Sequence, residues 1–293
     1  MSDIALYLVT VLIWGSTWFV ITLQLGVVSP AVSVAWRFLT AAAILLGFAL
    51  VRGLPLRFSL RDHLWMALQG LLLFCLNYVG FYVAEQYLAS GLVAVICSLL
   101  TFGNIVGMRL FFGIQTRAAS LLGAAFGIAG VAVLFWPELR AASSASGAAI
   151  GAAWALGATA CASLGNMVAT RNQRQLLPIL QLNGWSMLYG ALITCVVAAG
   201  LGLQFSFDGS WRYVASWAYL AVFGSVLAFG AYLTLMQRIG AGRAGYAMVA
   251  IPVVALLIST LLEHLRWTAN LWTGVALCLI GNVLVLKREP AKA

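Results

Sequence analysis

The sequence carries little charge and even less acid. Of its 293 residues only 8% are charged, with 7 Asp and Glu residues against 16 Lys and Arg. A soluble globular domain carries about 25% charged residues. A chain this poor in charge cannot cover a water-facing surface, so a soluble fold is excluded. The net charge of +9 then reflects loops beside a membrane, and no nucleic-acid partner is expected.

The groups on which most enzyme and metal sites depend are also scarce. The sequence has 2 histidines and 5 cysteines, and the cysteines all fall inside apolar runs without metal-ligand spacing. It has no phosphate-binding loop of the Walker type and no pair of carboxylates suited to acid–base chemistry. We therefore expect free thiols, no metal, no cofactor, no catalytic residue and no enzymatic activity.

Long apolar runs occupy most of the chain, and 63% of all residues are hydrophobic. A run of about 20 apolar residues is long enough to cross a bilayer as a helix. We predict an all-α integral membrane protein with ten transmembrane helices and no room for a soluble domain. The predicted spans are residues 4–25, 31–51, 64–84, 90–112, 118–136, 147–170, 178–201, 214–236, 243–263 and 267–286.

The basic residues divide unevenly between the two sets of connecting loops. With ten spans, one set carries 12 Lys and Arg residues and the other carries 3. Cytoplasmic loops are enriched in Lys and Arg, so the first set and both termini are predicted to be cytoplasmic. The first set is Arg52, Arg57, Arg61, Arg109, Arg117, Arg171, Arg174, Arg238, Arg243, Lys287, Arg288 and Lys292, and the second is Arg140, Arg212 and Arg266.

The two halves of the chain repeat each other. Gly80 and Tyr82 recur as Gly230 and Tyr232, and four further positions recur one residue later: Gly91, Leu110, Gly123 and Gly130 as Gly242, Leu261, Gly274 and Gly281. Residues 4–136 and 147–286 each hold five spans, an odd number, on either side of a polar linker at 138–146. The second half is therefore predicted to lie inverted relative to the first, around a central cavity, as in many transporters.

Several short motifs give the chain a family resemblance. They are Trp14-Gly15-Ser16-Thr17, Arg37 within AWRFLTAAAI, Ala89-Ser90-Gly91-Leu92, Gly123 and Gly130, with Gly240-Ala241-Gly242-Arg243, Pro252, Gly274 and Gly281 in the second half. By these residues the sequence resembles the drug/metabolite transporter superfamily in its ten-helix form with two EamA-type halves. Within it, the sequence is most similar to the YddG-type exporters of aromatic amino acids.

The resemblance implies a bacterial inner-membrane transporter that exports aromatic amino acids or similar small metabolites by alternating access. Alternatives are a transporter of another small solute, such as an amine or nucleotide derivative, and a non-transporting membrane interaction protein. The family usually has a proline in its fourth helix where this chain has Thr101, whereas Pro252 is kept in the ninth. This departure predicts a kink in one half only.

Aromatic side chains share helix faces in the first and third segments. Trp14 and Trp18 are four residues apart, and Tyr78 and Tyr82 repeat that spacing with Asn77 beside them. Such a wall is suited to stack against a planar substrate, while hydroxyl and amide groups bind its polar end. Packing between helices accounts for the same residues, so both interpretations stay open.

Polar side chains at membrane depth are costly and add further candidates. Ser163 and Asn166 in the sixth segment can bind substrate or bond to a neighbouring helix. Ser98 in the fourth can bind substrate or bond back to its own helix. Arg37 lies within the second segment. It either extends to the lipid headgroups or offers a bidentate partner to a substrate carboxylate.

Four residues near the span ends complete the predictions. Tyr82 and Tyr232 are repeat-equivalent and are predicted gate residues near the outer and inner ends, with interfacial aromatics as the alternative. Glu85 and Glu263 are predicted to be solvated rim charges.

The small-residue pairs are predicted to let helices approach closely; they are Gly103/Gly107, Gly123/Gly127 and Gly147/Gly151.

Overall fold

The computed structural model describes residues 1–115, 118–136, 147–239 and 246–286. Within these ranges all regular structure is helical and no strand occurs, which confirms the predicted all-α class. Several predictions fall outside the described residues. They are the assignments of Arg117, Arg140, Arg243, Lys287, Arg288 and Lys292, the linker at 138–146 and the glycine motif at 240–243.

The first half of the chain contains helices α1 to α5. Their bounds are Asp3–Thr22 for α1, Pro30–Val51 for α2, Leu60–Ala84 for α3, Ser90–Phe112 for α4 and Ala118–Leu134 for α5. In the second half, α6 is Gly147–Arg174, α7 is Ile179–Gly200, α9 is Tyr246–Leu262 and α10 is Ala269–Leu286, while α8 consists of Trp211–Ala218, Tyr219–Leu227 and Ala228–Ile239.

Seven of the described helices are long and apolar enough to cross a membrane, judged by length and composition. They are α1, α2, α3, α4, α6, α7 and the Trp211–Tyr232 part of α8. The other apolar helices, Ala118–Leu134, Ala247–Leu262 and Ala269–Val285, are shorter. The chain is therefore a polytopic helical membrane protein.

Hydroxyl side chains mark the starts of several helices. Ser2, Ser59 and Ser210 stand before α1, α3 and α8, and each accepts a hydrogen bond from a backbone N–H in the first turn, at 3.1–3.4 Å. This is the N-cap arrangement, which satisfies donors that have no partner within the helix. Pro30 opens α2, where its missing N–H costs nothing.

Helices α5 and α10 contact each other through glycine. A Cβ atom added at Gly130 would lie 2.7 Å from the carbonyl oxygen of Gly274, and one at Gly123 would lie 2.5 Å from that of Gly281. Only residues without a side chain allow backbones to come this close in lipid. The predicted packing role is confirmed for Gly123 here, and also for Gly103, which lies against α6.

Helices α3 and α8 each contain a π-helical stretch, Gly70–Leu76 and Tyr219–Leu227. Such wider turns bend a helix and are frequent at functional sites. Both stretches lie beside the second helix of the other half: a Cβ atom at Gly70 would meet the backbone of α7, and one at Gly224 would meet Arg37 of α2.

A kink at Pro252 stays a prediction, and the break in regular helix lies in α4. Helix α4 is interrupted between Cys97 and Leu100 although it has no proline, whereas the helix containing Pro252 is continuous. At the interruption the Ser98 hydroxyl donates to the carbonyl oxygen of Val95, at 2.7 Å. A side chain that bonds to its own helix competes with the regular ladder, which is how a serine can bend a helix without proline.

Candidate solute cavity between the two halves

Contacts between helix ends define two faces of the bundle. At one face, Asp3 at the start of α1 pairs with Arg238 at the end of α8 at 3.3 Å, and the Arg174 guanidinium of α6 lies over Phe112 of α4. We call this the N-terminal face. At the opposite face, Ser90 at the start of α4 bonds to Glu263 at the end of α9.

A cavity of about 430 Å³ lies inside the bundle and is lined by residues of both halves. Its deep end is bounded by Ile21 and Phe81, close to the opposite face. Its other end reaches Gln173, which is exposed, and Ile179, both at the N-terminal face. Solute pockets in proteins commonly measure about 300–1,000 Å³, so the cavity has the size of a small-molecule site.

Aromatic rings form one wall of the cavity. Trp14 makes an edge contact with Phe229, at 5.0 Å between centroids, and lies 5.4 Å from Tyr232. Trp18 makes a similar edge contact with Phe81 at 5.1 Å. The indole N–H of Trp14 donates to a backbone carbonyl oxygen of the π-helical stretch in α8 at 3.0 Å, so the ring is held by a polar contact as well as by packing.

Among the described residues, Arg37 is the one charged residue that lines the cavity. Its side chain is 1% exposed, its Nε donates to the Ser225 hydroxyl at 3.0 Å, and its guanidinium carbon lies 4.7 Å from the Tyr78 ring centroid. One terminal nitrogen has no hydrogen-bond partner within the described chain. The guanidinium therefore does not reach the headgroups, since Ser225 and Tyr78 hold it inside.

The π-helical stretch of α8 positions the partner of Arg37. The Ser225 hydroxyl donates to the carbonyl oxygen of Leu220, five residues earlier, at 3.0 Å. That spacing matches the wider turn, and it leaves the Ser225 oxygen free to accept from Arg37. A local departure from the α-helix thus supports the only buried cation of the cavity wall in the described ranges.

Neutral amides line the rest of the path. Asn77 donates to the Leu73 carbonyl oxygen at 3.1 Å, and its own carbonyl oxygen has no partner in the described part of the chain. Asn166 donates to the amide oxygen of Asn104 at 3.3 Å. Towards the N-terminal face, Gln69 bonds to two further asparagines, Asn172 at 3.0 Å and Asn183 at 3.4 Å.

The structure brings most of the predicted site residues to this cavity. Those on its lining are Trp14, Trp18, Arg37, Asn77, Tyr78, Ser98, Asn166 and Tyr232. Their role in substrate binding or gating stays a prediction.

Two predicted residues, Tyr82 and Ser163, do not line the cavity. Tyr82 is 0% exposed and does not line the cavity, because its hydroxyl donates to the Gln24 side-chain oxygen at 2.8 Å within the core. Ser163 faces Gly103 of α4, where a Cβ atom would lie 2.7 Å from its hydroxyl oxygen. Its face of α6 is used for helix packing, so it belongs to that interface and not to the cavity.

Sequence reasoning also missed several lining residues. Thr17, Gln69, Asn183 and Phe229 are on the wall without having been predicted. The available signal was polar residue type inside apolar segments, which holds for the first three. Phe229 carries no such signal in the sequence, because a phenylalanine in an apolar run is ordinary.

The two acidic residues near the opposite face are not solvated rim charges. Glu85 is 6% exposed, and neither of its carboxylate oxygens has a partner among the described residues. Glu263 is half-buried and accepts hydrogen bonds from the backbone N–H of Ser90 at 3.2 Å and from the hydroxyls of Ser90 and Ser259 at 2.5 Å. Helix ends pack together here, so Glu85 is withdrawn from water and Glu263 is partly withdrawn.

A helical membrane bundle that encloses a solute-sized cavity between two halves defines the class of membrane transporters. The model of the EamA-like transporter family matches residues 1–136 and again residues 149–287. The chain belongs to the EamA-like transporter family, a part of the drug/metabolite transporter superfamily.

Relatives and a solved structure agree with this assignment. The chain is 31% identical over 277 residues to YedA, an uncharacterized inner membrane transporter of Escherichia coli (strain K12), covering 94% of this chain and 87% of the relative. It is 23% identical over 271 residues to YoaV, an uncharacterized transporter of Bacillus subtilis (strain 168), covering 92% and 91%. A crystal structure matches with a TM-score of 0.68 at 18% identity, over 97% of this chain and 96% of its own, which shows the fold alone.

Proposed function

We propose that this transporter exports aromatic amino acids, or similar small metabolites that combine an aromatic ring with a carboxylate, from the cytoplasm. The observation that carries the proposal is a buried guanidinium with an unpartnered nitrogen in an aromatic cavity. Arg37 supplies the cation, and Trp14, Trp18 and Tyr78 supply ring faces and edges within the same cavity. A carboxylate is the group whose geometry matches an arginine fork.

The charge of the wall weighs against the alternative solutes. Within the described residues no Asp or Glu lines the cavity, so an amine without a carboxylate would meet a like charge and no counter-ion. A nucleotide derivative would call for several basic groups, and the wall offers Arg37. A protein that only binds other membrane proteins would need no polar, solvent-reaching cavity of this size.

We further propose that residues 4–136 and 147–286 form two inverted five-helix repeats, and that both termini lie in the cytoplasm. Gly123 is repeat-equivalent to Gly274, and Gly130 is repeat-equivalent to Gly281. The contacts are crossed, because Gly123 packs against Gly281 and Gly130 packs against Gly274. Such reciprocal contacts are typical of a two-fold relationship. They also make equivalent helices antiparallel, as an inverted repeat requires.

The mechanism that this arrangement supports is alternating access. In the present conformation the cavity reaches the N-terminal face and is closed at the opposite face. With a cytoplasmic N-terminal face, this is the conformation that receives solute from inside the cell. Release would require the contacts at the opposite face to separate while those at the N-terminal face close.

Efflux from liposomes tests the proposed substrate class. Purified protein is reconstituted with labelled tryptophan, phenylalanine, threonine or tryptamine, which is tryptophan without its carboxylate. We expect tryptophan and phenylalanine to leave faster than from protein-free liposomes, and threonine and tryptamine to leave at the background rate. Equal efflux of tryptophan and tryptamine would reject the role of the carboxylate, and background efflux of both aromatic amino acids would reject the substrate class.

A further inference from the structure

The carboxylates at the opposite face have very different surroundings. Glu263 accepts hydrogen bonds from Ser90 and Ser259, which together provide two hydroxyl groups and one backbone N–H. Glu85 follows directly after α3, is 6% exposed, and has no hydrogen-bond partner at either oxygen within the described residues. An ionised carboxylate buried without a partner is far more costly than a neutral one, so such groups take up a proton instead.

Three charged or titratable groups interact electrostatically with Glu85. They are the Glu263 carboxylate from the end of α9, the Arg37 guanidinium from α2 and the Tyr82 hydroxyl from its own helix. Burial, and then repulsion from Glu263, raise the pKa of the Glu85 carboxyl well above its ordinary value, and attraction to Arg37 offsets part of this rise.

We propose that Glu85 is a proton-binding site of the transport cycle, protonated while the opposite face is closed and deprotonated when that face opens. The proposal rests on the alternating-access part of the proposed function and is independent of which solute is carried. Opening the face would admit water to the carboxylate, and hydration favours its ionised form. The open state then binds the proton more weakly than the closed state does.

The sign of the pH dependence follows from this difference. A group that binds its proton more tightly in the closed state stabilises that state at low pH, and the stabilisation is lost as pH rises through the closed-state pKa. Each pKa unit between the two states changes the ratio of closed to open molecules by about tenfold. Because the opposite face is proposed to be extracellular, an acidic exterior would favour closure.

A proton fits this site better than a metal cation. A cation needs several oxygen atoms converging on it. The hydroxyls of Ser90 and Ser259 at this face donate to Glu263 and not to Glu85. Glu85 therefore offers its two carboxylate oxygens without a surrounding cage in the described part of the chain.

Distances between spin labels across the opposite face test the proposal. Labels are placed at Gln86→Cys and Leu262→Cys, both exposed positions beside the joint of Ser90 and Glu263, after the native cysteines are replaced by alanine. In nanodiscs titrated from about pH 5 to about pH 9, a range above the ordinary Glu value of about 4.3, we expect a short-distance population at low pH to give way to a longer one.

Two substitutions separate Glu85 from other titrating groups. Glu85→Gln mimics the protonated side chain, so it should keep the short distance across the whole pH range. Asp208→Asn changes a carboxylate in the loop before α8 that accepts a hydrogen bond from Ser210, so it should titrate like the unmodified protein. The proposal is overturned if Glu85→Gln titrates like the parent protein, or if sodium rather than pH moves the distances at constant ionic strength.

Infrared difference spectra provide a readout that needs no stable variant. Raising the pH on the unlabelled protein should remove the carbonyl band of a protonated carboxylic acid as the long distance appears. If two distance populations exist but neither they nor this band respond to pH, Glu85 is not a proton site and alternating access survives. If one distance persists at every pH and with tryptophan added, both proposals are rejected.

Discussion

The two faces of the bundle are built from different chemistry. At the N-terminal face, neutral amides such as Gln69 and Asn183 line a cavity that reaches exposed Gln173. At the opposite face, Glu263 is bonded directly to the start of α4, and Glu85 is buried beside it. Neutral groups tolerate both water and burial, whereas carboxylates change their energy strongly between the two. The buried carboxylates therefore lie at the closed face, whereas neutral amides line the cavity at the N-terminal face.

The strongest expected effect lies at the cavity wall, between the two faces. Replacing Arg37 by Gln should lower the initial rate of tryptophan efflux about 10- to 100-fold, because hydrogen bonds to a charged group contribute about 1.5–3 kcal/mol each. Arg37→Lys should restore part of the rate, since it keeps the charge without the fork. Efflux from liposomes with matched protein content provides the measurement.

The control for this variant is Arg212→Gln, which removes an exposed arginine near the opposite face. Its efflux should equal that of the unmodified protein. Arg37→Gln with full efflux, or an equal loss in both variants, would contradict a specific carboxylate partner at Arg37.

A smaller effect is expected from weakening the hydrogen bonds between Glu263 and the two serines at the closed face. Glu263→Gln removes the charge that accepts hydrogen bonds from Ser90 and Ser259. The opposite face should open more often, by about tenfold at the lower bound of about 1.5 kcal/mol for such bonds. The measurement is the rate at which a membrane-impermeant thiol reagent, added at that face, reacts with Ile21→Cys in the deep end of the cavity.

Asp208→Asn is the matched control for Glu263→Gln, because Asp208 is a half-buried acid that accepts a hydrogen bond from Ser210 in its own loop and not from another helix. It should leave the reaction rate unchanged. A Glu263→Gln variant that reacts no faster than this control would mean that the hydrogen bonds to Glu263 do not hold the face closed.

The gate predictions give the smallest effects. Tyr82→Phe deletes the hydroxyl that donates to Gln24, a neutral hydrogen bond contributing about 0.5–1.5 kcal/mol, so opening should increase about two- to tenfold. Tyr232→Phe, at the open end, should leave the thiol reaction from the opposite face unchanged. Comparing efflux with substrate binding in both variants separates gating from affinity.

Tyr87→Phe tests whether any tyrosine near that face has the same effect, since its side chain is 45% exposed. The gate prediction for Tyr82 fails if these two variants open equally often, or if Tyr82→Phe changes binding of tryptophan but not opening.

The helical class could be predicted from the sequence because composition and apolar run length depend on the membrane and not on detailed packing. The cavity wall could be predicted in part for a similar reason. Polar residues inside apolar segments, such as Arg37 and Asn77, are costly to expose to lipid and therefore face the interior of the bundle or a cavity. Helical spacing then brought Trp14 and Trp18 to one face.

The errors have a common physical cause: they depend on which neighbour a helix face meets. Ser163 and Asn166 lie three residues apart, yet the first meets Gly103 and the second meets the cavity. Glu85 was likewise predicted to be solvated because it follows the end of a span. Its burial depends on how the ends of other helices pack around it. The interruption of α4 lies at Ser98, whose hydroxyl donates to the Val95 carbonyl oxygen, and residue type alone does not predict it.

Access to the deep end of the cavity from each side of the membrane tests the central claim most directly. Ile21→Cys, in a protein whose native cysteines are replaced, is treated with an impermeant thiol reagent in right-side-out and inside-out vesicles. Alternating access predicts reaction from the cytoplasmic side without substrate, and from both sides, in separate experiments, during tryptophan transport. Reaction from one side alone under every condition would contradict it.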